Sequence, residues 1–258
     1  MHLPSRFLIL PALMLGLSSP LCAETIEVRA DSWMPYNGDP AAAQPGYVVE
    51  LLRAAFPNDT LNYSVCSWAQ ACTDLTEGKI DAIIGATTSD APGAVIPELP
   101  IGDYRNCFYI KKGDPWRYTG INSLKSIRLA AIAGYVYDLG GPLDSYLKRA
   151  KAPAVRFGTG DNPLDDNIAQ LRKGDVEVIV ENPNVMHWNL IQKQATPGEI
   201  HSAGSLTKEG YPLHVAFTGQ KEASVTRAEQ LTATVKKMRE SGELARLLER
   251  YGMNDWAK

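Results

Sequence analysis

Two carboxylates close apolar runs. Asp31 follows Thr25-Ile26-Glu27-Val28-Arg29-Ala30, and Glu181 follows Val176-Glu177-Val178-Ile179-Val180. Set in a cleft, either could act as a general acid or base. Glu181 has a second reading: Asn182 suits a helix N-cap, and a carboxylate beside a helix N-terminus is stabilised by the dipole. Trp33 and Tyr36 lie on a loop rich in Pro and Gly. An exposed ring there costs stability unless it packs or binds something. Trp33 is therefore either a ligand wall or a core residue plugging its lobe. Trp68, at the start of an expected helix, has the same two readings. Thr87 and Thr88 follow Gly85 and offer hydroxyls either to a ligand or to the next turn. Tyr135 and Tyr137 follow Gly134 at a strand-to-helix junction, where they line a face or pack the helix.

Other chemistries lack their residue sets. His187, His201 and His214 stand apart from any nucleophile pairing. Gly158-Thr159-Gly160 lacks the rest of a nucleotide-binding fingerprint. There is no second cysteine pair and no histidine at zinc-ligand spacing. No metal or cofactor is expected.

The elements that must position these residues show a duplication. Leu75-Thr76-Glu77-Gly78-Lys79-Ile80-Asp81-Ala82-Ile83-Ile84-Gly85 is echoed by Leu171-Arg172-Lys173-Gly174-Asp175-Val176-Glu177-Val178-Ile179-Val180-Glu181. Each copy reads as a helix end, a glycine in the left-handed position that only glycine adopts cheaply, and a short buried strand. Strands are expected over 25–30, 61–65, 80–84, 104–110, 127–132, 154–157, 176–180 and 213–217. Helices are expected over 46–56, 68–77, 143–151, 164–173, 182–192, 226–240 and 242–251. The alternation predicts an α/β chain with mainly parallel sheets in two similar lobes. Ligands bind beyond the carboxyl ends of such strands, which points to Gly85-Ala86-Thr87-Thr88 and Glu181-Asn182. Breaks near 111–115 and 205–211 are candidate hinge crossings.

Residues 1–23 carry Arg6, then the apolar run Phe7-Leu8-Ile9-Leu10-Pro11-Ala12-Leu13-Met14-Leu15-Gly16-Leu17, then small residues up to Leu21-Cys22-Ala23. This pattern predicts a cleaved secretory signal and a periplasmic product starting near Glu24. The run is shorter than the roughly 20 residues a membrane span needs. About 235 residues then remain, enough for one large domain or two small ones. Without Arg6, 25 basic residues face 29 acidic ones, which gives no electrostatic reason to expect nucleic acid or an anionic membrane. Three cysteines remain in an oxidising space. Cys66 and Cys72 could bridge a strand to the helix after it, leaving Cys107 over; alternatively, all three are buried thiols.

Four stretches carry a family likeness. They are Asp31-Ser32-Trp33-Met34-Pro35-Tyr36 after the first strand, Gly46-Tyr47-Val48-Val49-Glu50-Leu51-Leu52, the stretch 68–88, and the C-terminal run Met238-Arg239-Glu240-Ser241-Gly242-Glu243-Leu244-Ala245-Arg246-Leu247-Leu248-Glu249-Arg250-Tyr251-Gly252. Their order and spacing resemble the extracellular solute-binding proteins of polar amino-acid uptake systems, the type II periplasmic binding proteins. The resemblance implies a two-lobed Venus-flytrap fold with two hinge strands. Lobe 1 would span 24–110 and 212–258, and lobe 2 would span 111–211. It also implies that Trp33 and Trp68 form an aromatic clamp and that Gly85 and Thr87 contact ligand at the first strand end. The stretch Gly134-Tyr135-Val136 would open the second lobe's first helix, and Glu181 or Asn182 would hold a ligand ammonium. Where the family places a carboxylate-binding arginine, this chain has Pro92, and Arg105 is the nearest basic residue downstream.

The expected function is capture of a small polar solute between the lobes by a monomer without chemistry of its own. A membrane permease or a sensor protein would then read the closed form. The rival is an enzyme on the same scaffold, such as a dehydratase of small acids using Glu181 or Asp31.

Overall fold

The computed structural model describes residues 23–159 and 162–257. The expected signal lies outside the described residues apart from Ala23. The first lobe opens with β1 (Thr25–Ala30), whose Ile26, Val28 and Ala30 are buried in alternation. Then come α1 (Tyr47–Ala55), β2 (Thr60–Val65), α2 (Trp68–Thr76), β3 (Ala82–Ala86) and the short β4 (Gly102–Tyr104). The chain crosses at 105–106 into β5 (Cys107–Lys111), β6 (Leu129–Ile132), α3 (Pro142–Arg149), β7 (Val155–Gly158), α4 (Pro163–Lys173), β8 (Val178–Glu181), α5 (Pro183–Gln192) and β9 (Ile200–Ser205). It returns through 206–210 to β10 (Tyr211–Phe217), α6 (Ala223–Glu240) and α7 (Glu243–Glu249).

Two sheets result, ordered β2-β1-β3-β10-β4 and β7-β6-β8-β5-β9. Each has three parallel strands joined to an antiparallel strand that follows or precedes a crossing. The expected α/β class and two lobes are therefore observed. The repeated motif occupies equivalent places: β3 pairs with β10, and β8 pairs with β5. Gly78 and Gly174 both take positive φ, 70° and 83°, where the helices end. α6 rejoins the first lobe through Ala228, Leu231, Val235 and Met238, a helical spacing that buries one stripe.

Two expectations need correction. The strand expected over 104–110 is two strands on different sheets. The first crossing therefore falls at 105–106, and 111–115 is a turn inside the second lobe. Asn106 fixes that crossing: its Nδ2 donates to Tyr137 O (2.9 Å), and its carbonyl accepts from Leu206 N on the returning chain (2.8 Å). β9 was not expected, because Ile200-His201-Ser202-Ala203-Gly204-Ser205 has weak strand character. It exists as an edge strand through its pairing with β5.

The acidic residue of each repeat braces its sheet. Asp81 accepts from Glu27 N (2.8 Å), Lys221 Nζ (2.9 Å) and Arg227 Nη1 (2.6 Å). Glu177 accepts from Arg128 N (2.6 Å) and from the Arg128 guanidinium. Burial pushes the Asp81 pKa up, but the Glu27 N–H, Lys221 and Arg227 outweigh it and hold the carboxyl below its ordinary value of 3.8. Its stabilisation is present above that value and is lost as pH falls through the depressed one. Removing one partner of a buried ion pair strands the others. Asp81→Ala should therefore lower unfolding stability by about 3–5 kcal/mol in urea titrations near neutral pH. A loss under about 1 kcal/mol, the range of a surface ion pair, would contradict this bracing role.

Candidate functional site

Every parallel strand of both sheets delivers its carboxyl end to one crevice. Three cavities share its walls. The largest, 740 Å³, is lined from Asp31 and Ser32 after β1, Val65 to Ala69 after β2, Ile132 to Tyr135 after β6, and Asn162 and Pro163 after β7. A second, of 200 Å³, is bounded by Trp33, Glu181, Trp188 and Lys193, among others. A third pocket, of 50 Å³, is walled by Asp31, Trp33, Trp68, Thr87, Asp90, Tyr104 and Tyr135. The largest is within the usual range for a small-molecule site; the smallest has room for little more than water.

Tyr135 lines all three cavities and divides them. Its hydroxyl donates to Asp31 Oδ2 across the crevice (2.7 Å). Two more contacts join the lobes: Asn184 Nδ2 donates to Tyr36 Oη (3.0 Å), and the Tyr104 hydroxyl donates to Val136 O. Trp188 of α5 packs against Tyr251 beyond α7, with ring centroids 5.6 Å apart. The lobes are thus closed on one another.

Trp33 answers to both of its readings. One face stacks on Tyr36 (4.4 Å between centroids, 14° between planes), yet the ring walls two cavities. Gly85 is close enough that an added Cβ would sit 3.8 Å from the indole, and its φ of 93° favours glycine. The repeat therefore ends differently in its two copies: a glycine in a positive-φ backbone on β3, and a glutamate on β8.

Glu181 is buried. Its Oε1 accepts from Asn182 N (2.6 Å), and its Oε2 has no partner. The Trp33 indole N–H, also unpartnered, faces it without a formed hydrogen bond. Asn182 is the helix cap expected of it, with Oδ1 accepting from Asn184 N (2.9 Å) and Val185 N (3.4 Å). Asp31, Trp33, Trp68, Gly85, Thr87, Tyr135 and Glu181 all line the crevice. Tyr36 lies fully buried behind Trp33, Thr88 is exposed, and Asn182 is buried with its Oδ1 capping α5 and its Nδ2 unpartnered; none of these three lines a cavity. Arg105 sits in the first crossing, 3.8 Å from Asp103, and lines no cavity either.

Sequence reasoning missed the wall residues Tyr104, Asp165, Trp188 and Lys193, and above all Asp90. Its Oδ2 accepts from Thr87 N (2.8 Å) and Thr87 Oγ1 (2.6 Å). The spacing Thr-x-x-Asp signals such a turn, but nothing local says that the turn faces a cavity. The expected Cys66–Cys72 bridge is not formed: Cys66, Cys72 and Cys107 are free thiols. Ser67, between the pair, caps α2 by accepting from Gln70 N (3.3 Å), and Cys66 Sγ turns back to Ser67 O (3.5 Å). Burial pushes both thiols up, Cys72 to about 11.

No protein-family model matches this chain, and no curated protein matches it. Solved structures do. An ancestral arginine-binding protein bound to arginine superposes with a TM-score of 0.67 at 17% identity, over 88% of this chain and 97% of that one. A structure from glutathione import through GshT and the cystine ABC importer TcyBC of Streptococcus mutans gives 0.70 at 13% identity, over 89% and 95%. A histidine kinase sensor domain with similarity to periplasmic binding proteins gives 0.67 at 18%, over 89% and 96%. The chain has the two-lobed fold of periplasmic binding proteins.

The crevice makes Glu181 titrate unusually. Burial drives its pKa up to about 8; the Asn182 N–H and the Trp33 indole oppose this, and the Asp31 charge adds to it. Tyr36, Tyr104, Tyr109, Tyr135 and Tyr137 also lie close enough to feel its charge, and Asp165 and Lys193 line the same cavity. The folded state thus holds a proton that the unfolded chain loses near its ordinary value of 4.5, so stability falls as pH rises from there to about 8. Glu181→Gln, which cannot ionise, should melt close to the parent at pH 4.5 and above it at pH 8. An equal difference at both pH values would contradict the assignment.

Proposed function

We propose that this protein captures a small polar solute between its lobes and does not transform it. The observation that carries this reading is the convergence of six parallel strand ends, two tryptophans and an unpartnered buried carboxylate on one closed crevice. Rings supply apolar contact area, and a few convergent polar groups set orientation, which is how small-molecule sites are built. The hinge crossings at 105–106 and 206–210 let the lobes part and close around a ligand.

The readout follows from closure. Lobes held by Asp31–Tyr135 and Tyr36–Asn184 present a continuous surface that the open form lacks. A membrane permease or a sensor would bind that surface. The structural neighbours include both kinds, a substrate-binding protein of an amino-acid ABC transporter and a histidine kinase sensor domain. The protein would work as a periplasmic monomer, delivered there by the signal in residues 1–23.

An enzymatic reading has one argument in its favour: burial inside the cleft pushes the Glu181 carboxyl up to about 8, which suits a general acid. Both readings meet one experiment. Purified protein is denatured, and the released small molecules are identified by mass spectrometry and returned to refolded protein. Capture predicts a single polar solute that raises the melting temperature and is recovered intact. Trp68→Ala should bind it at least tenfold more weakly, because one half-buried wall is gone. Recovery of a changed molecule would support the enzyme, and a preparation that holds and binds no solute would overturn capture.

A further inference from the structure

The crevice is rich in carboxyl groups, and the donors of the loop after β3 are taken. Among the described residues, its walls carry Asp31, Asp39, Asp90, Asp165 and Glu181 against a single basic side chain, Lys193. Lys193 is paired with Asp165 (2.8 Å). No arginine lines any of the three cavities.

The loop after β3 shows the same bias in detail. Thr87 offers a backbone N–H and a hydroxyl to the smallest pocket, the kind of pair that would receive an anionic oxygen. Both are taken by the carboxylate of Asp90, with Ser89 Oγ completing the turn at 2.9 Å from Thr87 Oγ1. A ligand carboxylate arriving at this loop would find both Thr87 donors occupied and would meet a fixed negative charge. Opposite charges across a low-dielectric pocket attract strongly, and like charges repel as strongly.

The remaining walls favour the other sign. Trp33, Trp68, Tyr104 and Tyr135 surround the smallest pocket with ring surface. Ring faces attract ammonium groups, more so once desolvated. Glu181 Oε2, buried and without a partner on the far side of Trp33, can accept from a ligand ammonium once its carboxyl gives up its proton. Asp31 accepts a single hydrogen bond from Tyr135, which a ligand N–H could replace.

From these groups, and building on the capture reading, we infer that the crevice takes a small aliphatic amine lacking a carboxylate. Its ammonium sits against Asp31 and Asp90 within the aromatic walls.

Calorimetry with agmatine and arginine tests this directly, because the two differ by one carboxylate. Putrescine, glutamine and succinate widen the comparison. Agmatine or putrescine should bind at least tenfold more tightly than arginine, glutamine or succinate. Asp31→Asn, checked as folded by its melting curve, should weaken the amine at least tenfold. Arginine, glutamine or succinate binding as tightly as the amines would overturn the inference and leave capture standing. Silence from both amines would also overturn it, and capture would then be judged by the solute released on denaturation. Amine binding unaffected by Asp31→Asn would overturn the placement of the ammonium.

Discussion

One hydrogen bond crosses the middle of the crevice, from the Tyr135 hydroxyl to Asp31. Its two ends come from equivalent places. Asp31 follows β1, the strand flanked by β2 and β3 in the first sheet, and Tyr135 follows β6, the strand flanked by β7 and β8 in the second. Each sheet must therefore be built correctly for the bond to form. The bond also splits the crevice into compartments, since Tyr135 walls all of them. It holds Asp31, a half-buried carboxyl whose pKa burial raises and the Tyr135 hydrogen bond partly restores. A solute that enters must compete with this contact or use it.

The two repeats show how one supersecondary unit serves opposite needs. The acids inside the repeats, Asp81 and Glu177, brace the backbone at Glu27 and Arg128 and keep the sheets in register. The last residues diverge. Gly85 takes a positive φ within van der Waals reach of Trp33, and Glu181 fills the matching place with a buried carboxyl. Closing the lobes brings that pair of choices together, with the indole of one lobe facing the carboxyl of the other.

Much of this was legible in the residues. The duplication announced two lobes, the left-handed glycines marked the helix ends, and the strand-end rule pointed at Gly85, Thr87 and Glu181. What stayed hidden depends on tertiary placement. Val65, Cys66 and Ser67 look like a bridgeable strand-to-helix corner, but the N-cap geometry of Ser67 turns the Cys66 thiol aside. The stretch 104–110 looks like one strand, and the break shows only in Asn106, held in the first crossing by Tyr137 of the second lobe and Leu206 of the returning chain. β9 has little strand character of its own and exists because β5 needs a neighbour. Asp90 reads as an ordinary turn residue until the turn is seen to face a cavity.

The central claim is that closure of two lobes and occupancy of the crevice are one event. Small-angle X-ray scattering tests it most directly, on protein stripped of solute by unfolding and refolding and then returned to the solute it had carried. The radius of gyration should be larger in the stripped protein and should shrink when solute is restored. Identical scattering curves in the two states, with solute demonstrably bound in one, would contradict it.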